Sequence, residues 1–211
     1  MRAERHPTMK IIVISPEAAD PREVPAMDGF LSSGLERYHL RKPSWSGPQI
    51  EAWLGALPPQ WLGRIILHGH APLARRLGLG GWHDRDVPRS SSPAAFSRSC
   101  HDLGSLRRSL PLHPQLIFGP VFESITKPGH GPGAAFPWEE LRGILTAPRR
   151  PADARVLAIG GITAERLERC AGLGFDGAAV LGAVWNEADP VRAYARIRDS
   201  AARLEVSRHA A

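Results

Sequence analysis

Histidines follow several short apolar runs, at positions where catalytic or metal-binding side chains are usually found. His101 lies in the segment Ser99-Cys100-His101-Asp102. Imidazole titrates near neutral pH, so His101 is suited to accept and return a proton as a general base or acid. A hydrogen-bonded structural histidine is the alternative. Cys100 alternates to the opposite strand face from its neighbours and is predicted to pack rather than to act as a nucleophile.

Two other histidines stand close together after an earlier run, in His68-Gly69-His70. Residues at i and i+2 share one face of a strand, so these two, with His83 or Asp86 as a third ligand, are candidates for a transition-metal site. The pattern has no fixed third partner, so structural or substrate-contacting roles are the preferred interpretation. A histidine–metal hydrolase is kept as an alternative.

Two glycine-containing segments indicate a phosphate site. They are Gly160-Gly161-Ile162 and Leu181-Gly182, and each follows an apolar run. Backbone without side chains lets an anion approach, and the N–H groups at the start of a following helix favour negative charge. Ordinary turns are the alternative interpretation.

A lysine and two hydroxyl side chains follow the sixth apolar run, at Ser124, Thr126 and Lys127. An ammonium group neutralises an anionic substrate, and hydroxyl groups can donate to its oxygen atoms. The lysine is one of three in a chain whose other basic side chains are arginines. A solvated surface lysine is the alternative.

Eight apolar runs would position these side chains, at residues 10–15, 38–40, 64–67, 81–82, 95–99, 116–122, 156–160 and 177–181. The strongest are continuously apolar, which is typical of strands covered by helices on both faces of a parallel sheet. Eight strand–helix units in about 200 residues predict an α/β fold, a (β/α)8 TIM barrel with its chemistry at the carboxyl ends of the strands. An open doubly wound sheet, with about five or six strands, is the alternative.

Helix signals lie between these runs. Apolar residues at helical spacing predict a helix over residues 49–57, with Ser46 as its N-cap. Thr163 is a candidate cap for a helix that ends at Gly174, and Asp189 followed by Pro190 is a typical start for the last helix.

Composition limits the class of protein. The 211 residues include 21 glycines and 20 prolines, which excludes a helical bundle and indicates one turn-rich domain over residues 1–211. The net charge of +6 comes from scattered arginines without interleaved aromatics, so no nucleic-acid partner is expected. Two cysteines without metal spacing, and no long apolar segment, predict a cytoplasmic protein with no membrane partner.

The order of the motifs resembles the thiamine phosphate synthase and TenI superfamily over almost the whole chain. The matching segments are residues 38–42, 99–101, 118–120 with 124–127, 158–162 and 179–184. The resemblance implies a TIM barrel and a phosphorylated thiazole as the small-molecule partner. It also makes a homo-oligomer a reasonable expectation.

The superfamily contains two reactions, and the sequence departs from one of them. Synthases join a pyrimidine pyrophosphate to a thiazole phosphate with Mg²⁺, whereas TenI proteins include tautomerases that shift a proton to give the aromatic thiazole carboxylate phosphate. His68-Gly69 stands where a synthase has Asn-Asp, so its magnesium-binding carboxylate is missing. Only Arg41 remains of a Gln-x-Arg-x-Lys pattern for pyrophosphate.

We therefore prefer the tautomerase branch, with His101 as the catalytic residue and no cofactor. The residues that the resemblance implies for substrate and phosphate binding are Arg41, Ser99, Ser124, Thr126, Lys127, Gly160, Gly161, Ile162, Leu181 and Gly182. The alternatives are a synthase that holds Mg²⁺ through Asp86 and a non-catalytic relative that binds thiamine phosphates.

Overall fold

A closed barrel of eight parallel strands organises the chain, in the strand order of the sequence. The computed structural model describes residues 9–86, 92–124, 129, 131–147 and 154–209, the last five without side chains. The strands are β1 (Lys10–Ile14), β2 (Tyr38–Leu40), β3 (Ile65–His68), β4 (Gly81–Asp84), β5 (Ser97–Cys100), β6 (Gln115–Phe118), β7 (Arg155–Ala158) and β8 (Gly177–Val180). Because β8 also pairs with β1, the barrel closes and the predicted TIM-barrel fold is confirmed.

Helices follow the strands and cover the barrel. They are α1 (Glu23–Ser32), α2 (Gly47–Gly55), α3 (Ala71–Arg76), α4 (Leu103–Ser109), α5 (Trp138–Thr146), α6 (Leu167–Leu173), α7 (Gly182–Trp185) and α8 (Pro190–His209). Within the described ranges no helix separates β4 from β5. None of the described helices combines the length and the apolar character needed to cross a membrane.

Local sequence signals place the helix ends. Ser46 precedes α2 and forms a capping box with Gln49, whose side-chain oxygen accepts a hydrogen bond from the Ser46 amide at 2.9 Å. Gly174 ends α6 in the left-handed conformation, at φ 95°. The Asp189 carboxylate accepts a bond from the amide of Arg192 at the start of α8. These three predicted ends are confirmed.

The sixth strand is shorter than predicted. The apolar run continues to Phe122, but β6 ends at Phe118 because Gly119-Pro120 follows and proline has no amide hydrogen to donate. The next two amides bond to the end of β7 instead, from Val121 to the Ile159 carbonyl at 2.8 Å and from Phe122 to the Gly160 carbonyl at 3.1 Å. The loop after β6 is thereby held against the barrel mouth.

The inside of the barrel has two unlike walls. One wall is an apolar cluster from β1, β6, β7 and β8, made of Ile12, Ile14, Ile117, Leu157 and Ala179. The other is polar and comes from β2 to β6, with His39, His83, Ser97 and Gln115 buried and Ser99 partly buried. The alternate residues of these strands face outward and pack under the helices in the larger core.

Candidate active site

One cavity of about 930 Å³ opens among the loops at the carboxyl ends of the strands. It brings together most of the residues predicted from the sequence: Arg41, Ser99, His101, Ser124, Gly160, Gly161, Ile162, Leu181 and Gly182. His68, His70, His83 and Asp86 also line it. Thr126 and Lys127 lie outside the described residues. The strand ends predicted from the sequence therefore meet at one cavity.

Bare backbone forms the cavity wall after β7. Gly160 and Gly161 both adopt positive φ, at 96° and 61°, which disfavours any side chain. A Cβ on Gly160 would lie 2.8 Å from Cα of Pro120, and one on Gly161 would overlap the Glu123 carbonyl oxygen. The loop after β6 thus packs directly against these glycines.

Changing Gly161 to alanine is expected to lower the free energy of unfolding by about 1–3 kcal/mol, because the positive φ is strained and the new methyl group overlaps the loop backbone. Gly172 is a matched control in α6, where φ is ordinary and a Cβ would meet open space. Gly172→Ala is expected to stabilise by about 0.5–1 kcal/mol. Urea unfolding of both variants checks this, and a shift of the same sign in both would contradict it.

His101 follows β5 and has one ring nitrogen anchored. Its Nδ1 lies 2.8 Å from the Gly119 carbonyl oxygen, which only accepts, so Nδ1 must carry the hydrogen. In the neutral ring Nε2 therefore keeps a lone pair. The backbone amide of His101 donates to Asp86 at 3.2 Å. Such an arrangement presents a proton acceptor in a fixed orientation to the cavity.

The carboxylates that line the cavity are already engaged. Asp86 pairs with Arg98 at 3.3 Å in addition to accepting from the His101 amide. Glu17 pairs with Arg41 at 2.5 Å, and Asp84 accepts from the Ser92 amide at 3.0 Å. Magnesium prefers an octahedral set of oxygen ligands, usually with one or two available carboxylates. Among the described residues that line the cavity, the carboxylates, Asp86 included, do not fit a magnesium site.

Three histidine rings meet on the polar wall. The His68 and His83 rings stack, with centroids 4.2 Å apart, and Nδ1 of His39 lies 3.1 Å from Nε2 of His68. One ring nitrogen from each of the three lies within 4.8 Å of the others. Burial lowers the pKa of His83 to about 3 and holds the pKa of His39 and His68 well below the ordinary value. All three are neutral at pH 7.

Neighbouring polar groups hold two of the rings. His83 contacts two hydroxyls, with Nδ1 2.7 Å from Ser97 Oγ and Nε2 2.8 Å from Ser99 Oγ. The Gln115 amide lies 3.2 Å from His39 Nε2. Ser99, predicted as a substrate contact, is therefore also a partner of the histidine cluster.

The predicted grouping of His68 with His70 is wrong. β3 ends at His68, and the next two residues turn into positive φ, 74° at Gly69 and 48° at His70. The i, i+2 rule holds only within a strand, so the His70 side chain leaves the face that His68 occupies. His39 takes its place. Alternation within β2, where Tyr38 and Leu40 face the outer core, was the sequence signal for it.

A buried ion pair lies beside the cavity and was not predicted. Lys42 Nζ lies 2.5 Å from the Glu23 carboxylate, with side chains 0% and 1% exposed. The same ammonium donates to the Pro16 carbonyl at 2.7 Å, and Tyr38 donates to Glu23 at 2.9 Å. Burial raises the pKa of Glu23 despite these partners. The network ties the loop after β1 to the end of β2.

Comparison with known proteins gives one consistent result. Residues 11–184 match the family model described as thiamine monophosphate synthase. The thiamine-phosphate synthase of Methylobacillus flagellatus is 28% identical over 197 residues, which cover 87% of this chain and 90% of the relative. That of Bordetella pertussis is 31% identical over 199 residues, with the same coverage.

Solved structures agree. A thiamine phosphate pyrophosphorylase from Bacteroides thetaiotaomicron superposes with a TM-score of 0.73 at 26% identity, covering 93% of this chain and 99% of that one. Its counterpart from Pyrococcus furiosus reaches 0.72 at 20% identity over 93% and 96% of the two chains, which supports the fold. These names favour the synthase alternative over the tautomerase interpretation.

Proposed function

Because the chain belongs to the thiamine monophosphate synthase family, we propose that it joins a thiazole phosphate to a pyrimidine pyrophosphate and releases pyrophosphate. The observation that supports this reaction is the size of the cavity at the carboxyl ends of the strands, about 930 Å³. That volume is near the upper end of the range for small-molecule pockets, so two substrates have room in it. A tautomerase needs room for only one substrate.

The thiazole phosphate is assigned to the glycine wall after β7 and β8. Gly160, Gly161 and Ile162 on one side and Leu181 and Gly182 on the other would contact it through backbone. An anion can come close to such a wall because no side chain intervenes. Ser124 in the covering loop would add a hydroxyl contact, with Thr126 and Lys127 proposed from the sequence alone.

The pyrophosphate is assigned to the region between β2 and β5. In the closed order β1 lies between β2 and β8, and both β1 and β8 lie between β2 and β7. Arg41, which follows β2, is therefore distinct from the glycine wall. Charge develops on pyrophosphate as it leaves, and a positioned cation or hydroxyl donor stabilises that charge. Arg41 and Ser99 would supply these contacts. No step is assigned to magnesium, since the carboxylates do not fit it.

Arg41→Met is expected to lower kcat/KM for coupling about 10²–10³-fold, because a donor to the leaving group is lost. The Glu17 carboxylate, which pairs with Arg41, would also be left without its cation beside the pyrophosphate. Arg76 offers a matched control, since it makes a similar ion pair with Glu51 at 2.6 Å away from the cavity. Arg76→Met is expected to leave coupling unchanged. Equal losses in the two variants would contradict the role of Arg41.

The experiment that tests the function is incubation of the full chain with both substrates, followed by quantification of thiamine phosphate. Formation of the product supports the proposal. Binding of both substrates without turnover would instead indicate the non-catalytic, ligand-binding alternative and would contradict it.

A second candidate, thiazole tautomerase, is favoured by one specific observation: the anchored His101 ring, whose Nε2 is left to accept a proton at the cavity. In this reaction His101 would remove a proton from one ring position of the thiazole phosphate and return it at another. Only one substrate is required. Following the tautomeric conversion without the pyrimidine substrate separates this activity from coupling.

A further inference from the structure

The histidine cluster on the polar wall has the composition of a metal site. Its ligand atoms come from three adjacent strands, since His39 is on β2, His68 ends β3 and His83 is on β4. His68 and His83 are direct register partners, which places their rings side by side. We propose that His39, His68 and His83 bind one divalent transition-metal ion of the Zn²⁺ type at the base of the cavity.

The spacing of the nitrogens suits one shared ion. Two imidazole nitrogens bound tetrahedrally to zinc at about 2.0–2.1 Å lie roughly 3.4 Å apart. The His39 Nδ1 to His68 Nε2 distance of 3.1 Å is close to this, and the full set lies within 4.8 Å. The stacked His68 and His83 rings would have to turn for their nitrogens to converge on the ion.

Partners on the opposite ring nitrogens are those expected around a metal. Metal-bound histidines usually use their second nitrogen to donate to a fixed acceptor. Ser97 Oγ lies 2.7 Å from His83 Nδ1, which assigns Nε2 as the ligand atom, and a bound ion would replace the Ser99 Oγ contact 2.8 Å from that nitrogen. The Gln115 side chain lies beside His39 Nε2, and with its oxygen turned toward the ring it would leave Nδ1 as the ligand atom.

Part of the positive charge around the cluster is offset. Arg41 pairs with Glu17 and Arg98 with Asp86, so these two oppose a bound cation less than free arginines would, while Arg37 and Arg85 also act on the rings. The rings themselves are neutral, which is the form that binds metals.

His68 and His83 line the cavity, so a metal held there would keep an open position toward it. Three protein ligands with one open position are typical of catalytic rather than structural zinc sites. The substrate class that suits the open position is a phosphate or pyrophosphate oxygen, an inference that rests on the proposed function. Nitrogen donors select zinc, cobalt or nickel over magnesium. Metal binding itself does not depend on which reaction the cavity carries out.

The test uses Co²⁺ as a spectroscopic probe. Full-length chain without a histidine tag is treated with a chelator, dialysed and titrated with Co²⁺, then with Zn²⁺ and Mg²⁺ in competition. We expect one Co²⁺ per chain, a visible absorption band of a low-coordinate site, displacement by Zn²⁺ and none by Mg²⁺. No band, or a stoichiometry near zero, would overturn the proposal.

A matched pair of variants locates the site. His68→Asn removes a ligand and is expected to weaken Co²⁺ binding by at least about 10²-fold. His70→Asn changes a cavity histidine outside the cluster, and asparagine tolerates its left-handed backbone, so binding is expected to stay within about threefold. Equal affinities in the two variants would overturn the assignment.

A measurement on the unaltered chain covers the case in which His68→Asn does not fold. X-ray absorption of the Co²⁺-loaded protein is expected to count three imidazole ligands, and a shell of oxygen ligands alone would overturn the proposal. Metal binding without thiamine phosphate formation would leave the metal site standing and contradict only the proposed function.

Discussion

For the second candidate reaction, a chain in which His101 is replaced by alanine is expected to lose a factor of about 10²–10⁴ in the rate of thiazole tautomerisation. The reason is geometric. The Gly119 carbonyl oxygen lies 2.8 Å from Nδ1 and accepts its hydrogen, so Nε2 of the ring is the proton acceptor. Alanine leaves the cavity without this group. Binding of the thiazole phosphate is expected to change little, because its phosphate is assigned to the glycine wall. The measurement is kcat and KM for the conversion, with thiamine phosphate formation followed in parallel.

The control for this variant is His70→Asn, which changes another histidine of the same cavity. That chain is expected to tautomerise at the unaltered rate. The two candidate reactions then separate clearly. If coupling persists in His101→Ala while tautomerisation is lost, His101 serves the proton shift alone, whereas an unchanged tautomerisation rate would exclude it as the proton acceptor.

Lys42→Met is expected to lower the free energy of unfolding by about 3–5 kcal/mol, since removing one partner of a buried ion pair leaves the other charge uncompensated. The Lys42 and Glu23 side chains are 0% and 1% exposed, so water cannot replace the lost ammonium. Methionine keeps the length of the side chain, which confines the change to charge and hydrogen bonds. Two carbonyl acceptors on the loop after β1 also lose their donor. Urea unfolding at pH 7 gives the difference.

The chain contains a matched exposed pair. Lys10 lies 3.3 Å from Glu36, with side chains 37% and 47% exposed. Solvent-exposed ion pairs contribute about 0–1 kcal/mol, so Lys10→Met is expected to stay within that range. Similar losses for the two lysines would show that burial is not what makes the Lys42 pair strong.

The fold was predictable because its signals are local. Continuous apolar runs mark parallel strands covered on both faces, and Ser46, Gly174 and Asp189 carry the chemistry of helix ends in their own side chains or backbone. The end of β6 was misplaced because apolar character continues to Phe122, while the amides of the segment bond to β5 up to Gly119 and to the end of β7 from Val121 onward. Hydropathy does not report which strand an amide bonds to.

The site was predictable only in part, for reasons of distance along the chain. Strand ends indicated the cavity residues, but the partner of His68 depends on a turn in the backbone that moves His70 away. His39 is 29 residues from His68, and Lys42 is 19 from Glu23, so only the closed barrel brings them together. The ion pair between Asp86 and Arg98 likewise depends on how β4 and β5 lie side by side in the barrel.

The two unlike walls inside the barrel have a consequence for divergence and for engineering. Strands β2 to β6 present the polar groups, whereas β7 and β8 present bare backbone beside an apolar cluster. Substitutions on the polar wall can exchange one set of reactive groups for another without touching the glycine wall, to which we assign the phosphate. His68-Gly69, in place of the Asn-Asp pair of the synthases that the sequence resembles, is such an exchange. A designer who wishes to install a new reaction while retaining phosphorylated substrates would randomise the polar wall and leave Gly160 and Gly161 untouched.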